Sequence, residues 1–457
     1  MNPTDEFVIA QLAEANPAPE GLVPGATERA EAERVLRRLL DDPPAPRRRH
    51  PGSGILVLIA SVLVVLVVAA VVLRTGGSST PASHPSGGAR ITLRAEATSQ
   101  TPRVTAGAMS REVALLRRRL ASLGGGFTVA QSGTTSIVVT APSGSAAQRG
   151  RIDALITQPA QLRFYDWEAN VLTPNGKTVS SQLSTQNATA VSVSQGRDSG
   201  PGYPGAGSSS LYQAVSLATK QPPAPAGRFL SRLGPEYYAF GAPGSRACAA
   251  AAAVEGAAGP PAGQCLLAGP LDPGRSVSRS QAIAELAAQL PAGVTPSDGQ
   301  VLAVPQGTLV VQAEPLRSGA RVSIVSPAAQ FFVMHDHVAL SGADITHPKA
   351  GTDQSAAPDV TFGFTGSGRA AFQRATRAIA HRGAEVSLNG LTLNQHFAVA
   401  VDNRLVTVPQ IDFRQYPDGI IGANGADITG GLDAPAARDL ATQLRYGALP
   451  LALRVVN

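Results

Sequence analysis

Cysteine, lysine and aromatic residues are all scarce in this chain of 457 residues. The two cysteines, Cys248 and Cys265, do not form a CxxC motif, which excludes a cysteine-based zinc finger and a thioredoxin-like redox centre. Aromatic residues make up 4% of the chain and are not interleaved with the basic residues. The sequence therefore predicts no contact with nucleic acid. The formal net charge of +6 instead suits anionic lipid or acidic chains.

Motifs that carry enzymatic chemistry are also lacking. No GxSxG turn presents a nucleophilic serine, and scattered carboxylates such as Asp166 and Glu168 fit a solvated surface better than a shared proton. Residues 363–368 (GFTGSG) resemble a phosphate-binding loop in outline, but they lack its Lys-Ser/Thr pair. A helix cap by Thr365 or Ser367 explains this stretch better. We therefore expect no enzyme and no cofactor.

One histidine-rich cluster is a candidate metal site. In a strand, His335 and His337 would share one face, with Asp336 on the other. Zinc sites in proteins use at least three protein ligands, and no third ligand is evident here, even with His347 nearby. The sequence therefore predicts surface histidines and no bound metal.

Residues 54–73 (GILVLIASVLVVLVVAAVVL) carry no charge at all. An apolar run of about 20 residues is long enough to cross roughly 30 Å of hydrocarbon as a helix. A buried core helix would show a polar face, and a signal peptide would lie nearer the N-terminus with a shorter apolar run. We therefore predict a membrane helix at residues 54–74.

The charges on either side of this run predict its orientation. Basic residues cluster on its N-terminal side, and only Arg74 follows closely; the preceding ones are Arg37, Arg38, Arg47, Arg48 and Arg49. By the positive-inside rule, residues 1–53 form a cytoplasmic tail of a single-pass protein of the cell membrane, and the rest is extracytoplasmic. Disulfides persist in that compartment, so a bridge between Cys248 and Cys265 is favoured over two free thiols.

The order of predicted elements indicates an α+β fold. A Gly/Ser/Pro-rich flexible linker occupies residues 75–89. Residues 90–170 then read strand, helix, strand, strand, helix, strand, with the final strand at 160–167, which is typical of a ferredoxin-like unit. Residues 349–457 repeat this order and end in a strand at 449–456. We therefore predict a pseudo-symmetric pair of ferredoxin-like units, with residues 171–348 inserted between them as an α+β head lobe.

Four C-terminal segments resemble, in this order, the first periplasmic domain of SecD, an accessory subunit of the bacterial Sec export machinery. They are VALSGADI from Val338, VTFGFTGSGRAAFQRAT from Val360, FAVAVDNRLVTVPQI from Phe397, and ADITGGLDAPAARDLATQLRYGALPLAL from Ala426. The stretch from Ile91 to AQLRFYDW is similar to the start of that domain. The resemblance covers most of residues 90–457, although the middle lobe matches by position alone.

The resemblance implies a base with an inserted head that captures a preprotein as it leaves the export channel and prevents its return. In the family, this movement is coupled to proton flow through further membrane helices. This sequence has no second apolar run of roughly 18 residues and no counterpart of the acidic residues within the membrane. We therefore expect a membrane-anchored accessory protein of export, and not a complete proton-driven motor.

The expected partners are unfolded or translocating polypeptides and subunits of the Sec translocase. Phe331, Phe332 and Val333 form the candidate polypeptide-binding patch. The alternative is that these three residues belong to the core of the lobe, because consecutive apolar residues are usually buried on at least one face.

Two other functions stay open at this point. A predicted amphipathic helix at residues 26–40 in the cytoplasmic tail suits a single-pass signalling protein whose tail binds a regulator such as a sigma factor. A third interpretation is an envelope scaffold without a ligand.

Overall fold

The structure is a computed structural model, and it describes residues 89–142, 148–183, 207–208, 210–224, 230–255, 263–273, 277–313, 330–387, 392–429 and 432–456. These residues fall within one compact unit, His84–Asn457. The predicted cytoplasmic tail, the membrane helix and all but the end of the linker lie outside the described residues. Within the described part of the chain, no helix has both the length and the apolarity that a membrane span requires.

The described residues form strands and helices in a mixed order. The strands are β1 (Arg90–Glu96), β2 (Thr128–Ser132), β3 (Ser136–Thr140), β4 (Leu162–Asp166), β5 (Glu236–Gly241), β6 (Cys265–Leu271), β7 (Gly299–Val304), β8 (Thr308–Ala313), β9 (Gln330–His335), β10 (Leu340–Ser341), β11 (Ile345–Thr352), β12 (Pro358–Phe364), β13 (Gln395–Val401), β14 (Arg404–Thr407), β15 (Gln410–Ile411), β16 (Ala426–Ile428) and β17 (Ala452–Val456). The helices are α1 (Ala106–Ala121), α2 (Arg149–Thr157), α3 (Trp167–Asn170), α4 (Val179–Leu183), α5 (Leu211–Ala218), α6 (Arg246–Glu255), α7 (Arg279–Ala287), α8 (Gly366–Val386) and α9 (Ala434–Tyr446). The predicted α+β class is confirmed.

The first sheet is ferredoxin-like, with strand order β17-β1-β3-β2 and antiparallel pairing throughout. Helix α1 begins after the cap Thr105, whose hydroxyl accepts a hydrogen bond from the amide of Ala108. Its apolar residues at helical spacing, from Met109 to Leu120, pack with α2 on this sheet and are buried. We call β17, β1, β3, β2, α1 and α2 the base.

One predicted element of this unit pairs differently. The expected final strand at 160–167 forms as β4, but β4 pairs with β10 and β13 in another sheet, and β17 from the C-terminal end of the chain closes the base instead. Burial explains the exchange. Residues Leu162–Tyr165 are buried on both faces, as a strand inside a larger sheet requires, whereas β17 is mostly half-buried and suits an edge.

The second predicted ferredoxin-like unit is wrong as a unit, although its elements exist. Its strands are divided among three sheets: β12 lies between β11 and β16, the hairpin β13–β14 joins a sheet of order β10-β4-β13-β14-β8-β9, and β17 joins the base. β15 also pairs with β13. Strands β8, β9 and β10, which the sequence assigned to the inserted lobe, therefore share a sheet with β4, β13 and β14. We call this the central sheet.

A third group of elements is contiguous in sequence. Strands β6-β5-β7 form their own antiparallel sheet, and α6 and α7 pack on it around a small core that includes Tyr237, Leu267 and Leu286. We call residues 236–304 the lobe. It is a smaller region than the head lobe predicted at residues 171–348.

Candidate functional site

The predicted polypeptide-binding residues are in the core. Phe331, Phe332 and Val333 lie in β9 with exposures of 3%, 0% and 3%. Strand alternation divides them between two clusters: Phe332 packs with Trp167 on one face of the central sheet, and Phe331 and Val333 pack with α5 on the other. In this structure they offer no surface to a ligand.

The two cysteines form a disulfide. Cys248 in α6 and Cys265 in β6 are bonded, with their Cα atoms 5.6 Å apart, and both side chains are buried. Gly241 lies directly beneath them, since a Cβ atom there would be 2.9 Å from the sulfur of Cys248. The bridge thus fastens helix α6 to the sheet of the lobe.

The histidine cluster contains a buried aspartate, Asp336, that holds a neighbouring segment in place. The ring centroids of His335 and His337 are 5.6 Å apart, and burial lowers the pKa of His335. Asp336 between them is fully buried, and its carboxylate accepts hydrogen bonds from the amides of Ser231 and Arg232 at 2.8 and 3.0 Å. The described residues include no group of three or more His, Cys, Asp or Glu side chains that could hold a metal. Asp336 therefore holds the segment that leads into the lobe.

The expectation that Asp166 and Glu168 face solvent is wrong. Arg382 donates two hydrogen bonds to the carboxylate of Asp166, and burial raises the pKa of that carboxyl group. Glu168 is fully buried and accepts a hydrogen bond from the amide of His396 at 2.9 Å. These carboxylates join the end of β4 to α8 and β13. Their partners are distant in sequence, so the local sequence pattern could not predict this role.

The GFTGSG stretch caps a helix. The hydroxyl of Thr365 accepts a hydrogen bond from the amide of Gly368 at 2.9 Å and starts α8. A Cβ atom on Gly368 would lie 2.2 Å from the carbonyl oxygen of Asp344, so glycine is needed for this close approach.

A cleft of about 810 Å³ opens where the base, the central sheet and α8 meet. Three parts of the chain line it: the segment after β1, the residues around β10, and the turn between α9 and β17. The wall also includes Ser367, Ala371 and Arg374 from α8, Gln161 just before β4 and Arg163 within it, and Leu230 and Ser231. The lining segments are separated by up to about 350 positions in the chain, so no local motif could have predicted this site.

The lining of the cleft mixes small aliphatic residues with polar and charged ones. Its apolar residues are Ala160, Leu162, Leu230, Val338, Ala339, Leu340, Ala343, Ala371, Leu444, Ala448, Leu449 and Pro450. Hydroxyl and amide groups from residues such as Thr98, Gln100 and Ser341 also line the cleft, and its charged lining residues are Arg163, Arg374 and Asp344. A mixed surface of this kind suits an extended polypeptide, whose backbone needs hydrogen bonds and whose side chains need shallow apolar contact.

Polar contacts join the base and the segment after β1 to the lobe and to residues 231–233 just before it. The hydroxyl of Ser99 donates to the carboxylate of Asp272 at 2.9 Å and accepts from the amide of Leu233 at 3.1 Å. Gln100 donates to the carbonyl of Ser231 at 2.5 Å, and Arg454 of β17 donates to the carbonyl of Ala288 at 3.2 Å. Burial raises the pKa of Asp272 to about 6. This junction is polar, and one of its groups titrates in mildly acidic conditions.

The base has its own buried charges. The guanidinium of Arg119 donates to the carbonyls of Leu155, Gln158, Pro159 and Gly447, and so binds the C-terminal ends of α2 and α9. Burial lowers its pKa to about 10, so it stays charged at neutral pH. Glu112, two turns earlier in α1, accepts from the amide of Leu451 at 3.1 Å, and burial raises its pKa to about 7.

The protein thus combines a ferredoxin-like base with a large insertion, and residues of both line the cleft. Residues 318–451 match the family model described as SecDF, P1 head subdomain. The protein translocase subunit SecD of Acetobacter pasteurianus is 37% identical over 123 residues, which are 27% of this chain and 20% of that protein. The SecD subunit of Rickettsia prowazekii is 29% identical over 154 residues, 34% of this chain and 24% of that protein.

The chain therefore matches about a fifth to a quarter of the length of these relatives. A solved structure described as a membrane component SecDF that enhances protein export covers 81% of this chain and 98% of its own, with 19% identity and a TM-score of 0.36. A TM-score this low supports no conclusion about function. The predicted resemblance to a SecD periplasmic domain is confirmed by the family model and the SecD relatives.

Proposed function

We propose that this protein is a SecD-like accessory protein of export that binds translocating or newly exported polypeptides in the cleft between the base and the insertion. The similarity to SecD subunits supports the export role. The single observation that supports the binding role is the cleft of about 810 Å³, with its mixed aliphatic and polar lining. The comparisons favour export over signalling through the tail. The proposed role is non-enzymatic.

The division of labour within the domain is part of the proposal. The sheet order favours a base smaller than the one assigned from sequence, made of residues 90–158 and 449–456, with the residues between them as the insertion. The lobe would move against the base through the polar contacts around Ser99 and Asp272. The proposed anchor is the membrane helix at residues 54–74, with the tail in the cytoplasm and the domain outside, where subunits of the Sec translocase are the expected neighbours.

Binding can be tested with the full chain in detergent and a fluorescent, permanently unfolded polypeptide. Replacing Ala371 by Glu puts a charged side chain into the lining of the cleft, and we expect affinity for the unfolded chain to fall at least tenfold because a carboxylate would be desolvated against apolar groups. Ala114→Glu, at an exposed position on α1 away from the lining, is the matched control and should bind normally. Equal binding by both variants and the unaltered protein would remove the cleft from the proposal.

A further inference from the structure

The positive charge of the folded domain is concentrated in the base. Residues 90–158 and 449–456, which make up the base, contain ten arginines and three carboxylates. Residues 159–448 contain twenty basic and twenty acidic residues. The insertion is therefore neutral by formal charge, whereas the much smaller base has a formal charge of +7. A field of one sign over one part of a domain attracts partners of the opposite sign to that part.

The helices of the base present much of this charge to solvent. Arg111, Arg117 and Arg118 of α1 and Arg149 of α2 are exposed. The apolar residues of both helices share one core with β1 and β3, so the two helices form a layer on a single face of the base sheet. Arg117 also donates to the carbonyl oxygen of Val129 at 2.7 Å, a neutral acceptor that leaves its charge in place. We call the exposed surface of α1 and α2 the basic face.

Carboxylates of the same helices do not balance these arginines. Helices α1 and α2, which the structure describes in full, contain Glu112 and Asp153 as their acidic residues. Glu112 is fully buried, and its carboxyl group accepts from the amide of Leu451 on the inner side of α1. Asp153 is half-buried. The four exposed arginines of the basic face therefore outnumber the one carboxylate that solvent reaches.

Helix α9 lies against α1 and α2 and adds further arginines to the layer. Its buried Asp439 accepts two hydrogen bonds from Arg151 of α2, the shorter of 2.6 Å. Its half-buried Asp433 caps the helix, and Arg438 and Arg445 are exposed. The exposed charged residues of α1, α2 and α9 are thus all arginines.

The basic face has no apolar centre. Apart from the arginines, the exposed residues of α1 and α2 are alanine, glycine and serine, such as Ser110 and Ala114. The core of a protein–protein interface is built from large apolar and aromatic side chains that lose their water on binding, and these two helices expose none. A surface that offers charge alone suits a layer of phosphate headgroups, which attracts basic residues without an apolar contact.

We propose that the basic face docks on the anionic phospholipid headgroups of a bilayer. Each arginine close to such a surface strengthens the association by roughly a factor of five through its charge. In the sequence, residues 90–158 are also the part of the folded domain nearest to the predicted membrane helix at 54–74. The proposal shares that helix with the proposed function, but it does not depend on polypeptide binding in the cleft.

The test uses the full chain reconstituted in vesicles, with an environment-sensitive fluorophore on the thiol introduced by Ala114→Cys in the basic face. The native cysteines are in a disulfide, so the label is specific. The matched control is Ala130→Cys in β2, an exposed position on the opposite face of the base sheet, because its neighbour Val129 lies in the core under the helices. In vesicles that contain phosphatidylglycerol, brominated lipids should quench the label at 114 several-fold more strongly than the label at 130. Purely zwitterionic lipid, or about 1 M salt, should remove the difference.

Paired substitutions test whether the charge of the basic face causes docking. Arg111→Gln with Arg118→Gln should lower the ratio of docked to free domain about 25-fold, because each arginine contributes roughly a factor of five. The corresponding lysine pair should dock normally, since it keeps the charge. Arg246→Gln with Arg279→Gln removes the same charge from exposed positions of the lobe and should change nothing.

Three results would overturn the proposal. They are equal quenching of the two labels with phosphatidylglycerol, a difference that persists in zwitterionic vesicles, and a response of the label at 114 to soluble polyglutamate or an oligonucleotide but not to anionic vesicles. Flotation of the protein with vesicles at high salt reports the predicted membrane helix separately from docking. The glutamine pair at Arg111 and Arg118 should bind unfolded polypeptide in detergent as the unaltered protein does, so a failure of docking leaves the cleft untouched.

Discussion

The base and the lobe are each stabilised internally in a different way. The base is assembled from the two ends of the described chain, since β1 pairs with both β3 and β17, and a continuous apolar core with buried charges joins its parts. The lobe is contiguous in sequence, has a smaller core, and is fastened within itself by a disulfide. The contacts between them around Ser99 and Asp272 are polar. This difference is what a fixed platform and a separable part require.

The largest effect is expected at Arg119 in the base. Arg119→Met removes the donors to the ends of α2 and α9 and leaves Glu112 buried without its nearby positive charge. Breaking a buried ionic network by removing one member costs about 3–5 kcal/mol. Denaturant unfolding followed by the fluorescence of Trp167, the single tryptophan, should show this loss, and a loss below about 1 kcal/mol would contradict the assigned role.

The next effect should be confined to the lobe. Replacing Cys248 and Cys265 together by Ala opens a loop closed over a sequence separation of 17, which should cost roughly 3 kcal/mol. Hydrogen exchange should then rise in β5, β6 and α6 while the amides of β1 and β3 keep their protection. Equal loss of protection in the base would mean that the two regions unfold together, and the comparison would fail.

The stability of the base should depend on pH through the titration of Glu112. Its folded pKa of about 7 lies above the ordinary value of 4.5, so its contribution to stability is fully present below about pH 4.5 and is lost as the pH rises through 7. The loss by pH 8 should be about 3 kcal/mol. Glu112→Gln should therefore flatten the profile and be more stable than the unaltered protein at pH 8. A profile that keeps its slope in this variant would assign the titration to another group.

The smallest effect is expected at the junction. Ser99→Ala removes the hydroxyl that donates to Asp272 and accepts from Leu233. The free energy of unfolding should fall by only about 1–2 kcal/mol, since the buried hydroxyl of Ser99 makes two hydrogen bonds that are lost. The distribution of distances between a spin label on α7 and one on α2 should nevertheless become broader. An unchanged distribution would show that these contacts do not hold the lobe on the base.

The sequence predicted the elements of this fold far better than their pairing. The sequence predicted helices α1, α8 and α9 from helical spacing, which is a local property. It also predicted the hairpin turn at Asp402 and Asn403, and both residues have positive φ. The partner of a strand depends on distant residues, so the exchange of β4 for β17 in the base was missed.

The site shows the same limit. Phe331 to Val333 were predicted as a binding patch because they are consecutive apolar residues. In the strand, their side chains alternate between two cores. The cleft is formed by short segments from across the chain, each of which is unremarkable by itself. Asp336 and Glu168 were likewise missed as anchors because their partners lie far away in sequence. The resemblance to SecD supplied the functional context that the residues alone did not.

Crosslinking from the wall of the cleft tests the central claim most directly. A photo-reactive residue at Ala371, compared in living cells with one at Ala114 on the exposed face of α1, would capture whatever occupies each surface. The account predicts that position 371 crosslinks to diverse secreted polypeptides during export and that position 114 does not. Capture of the same background proteins at both positions would contradict it.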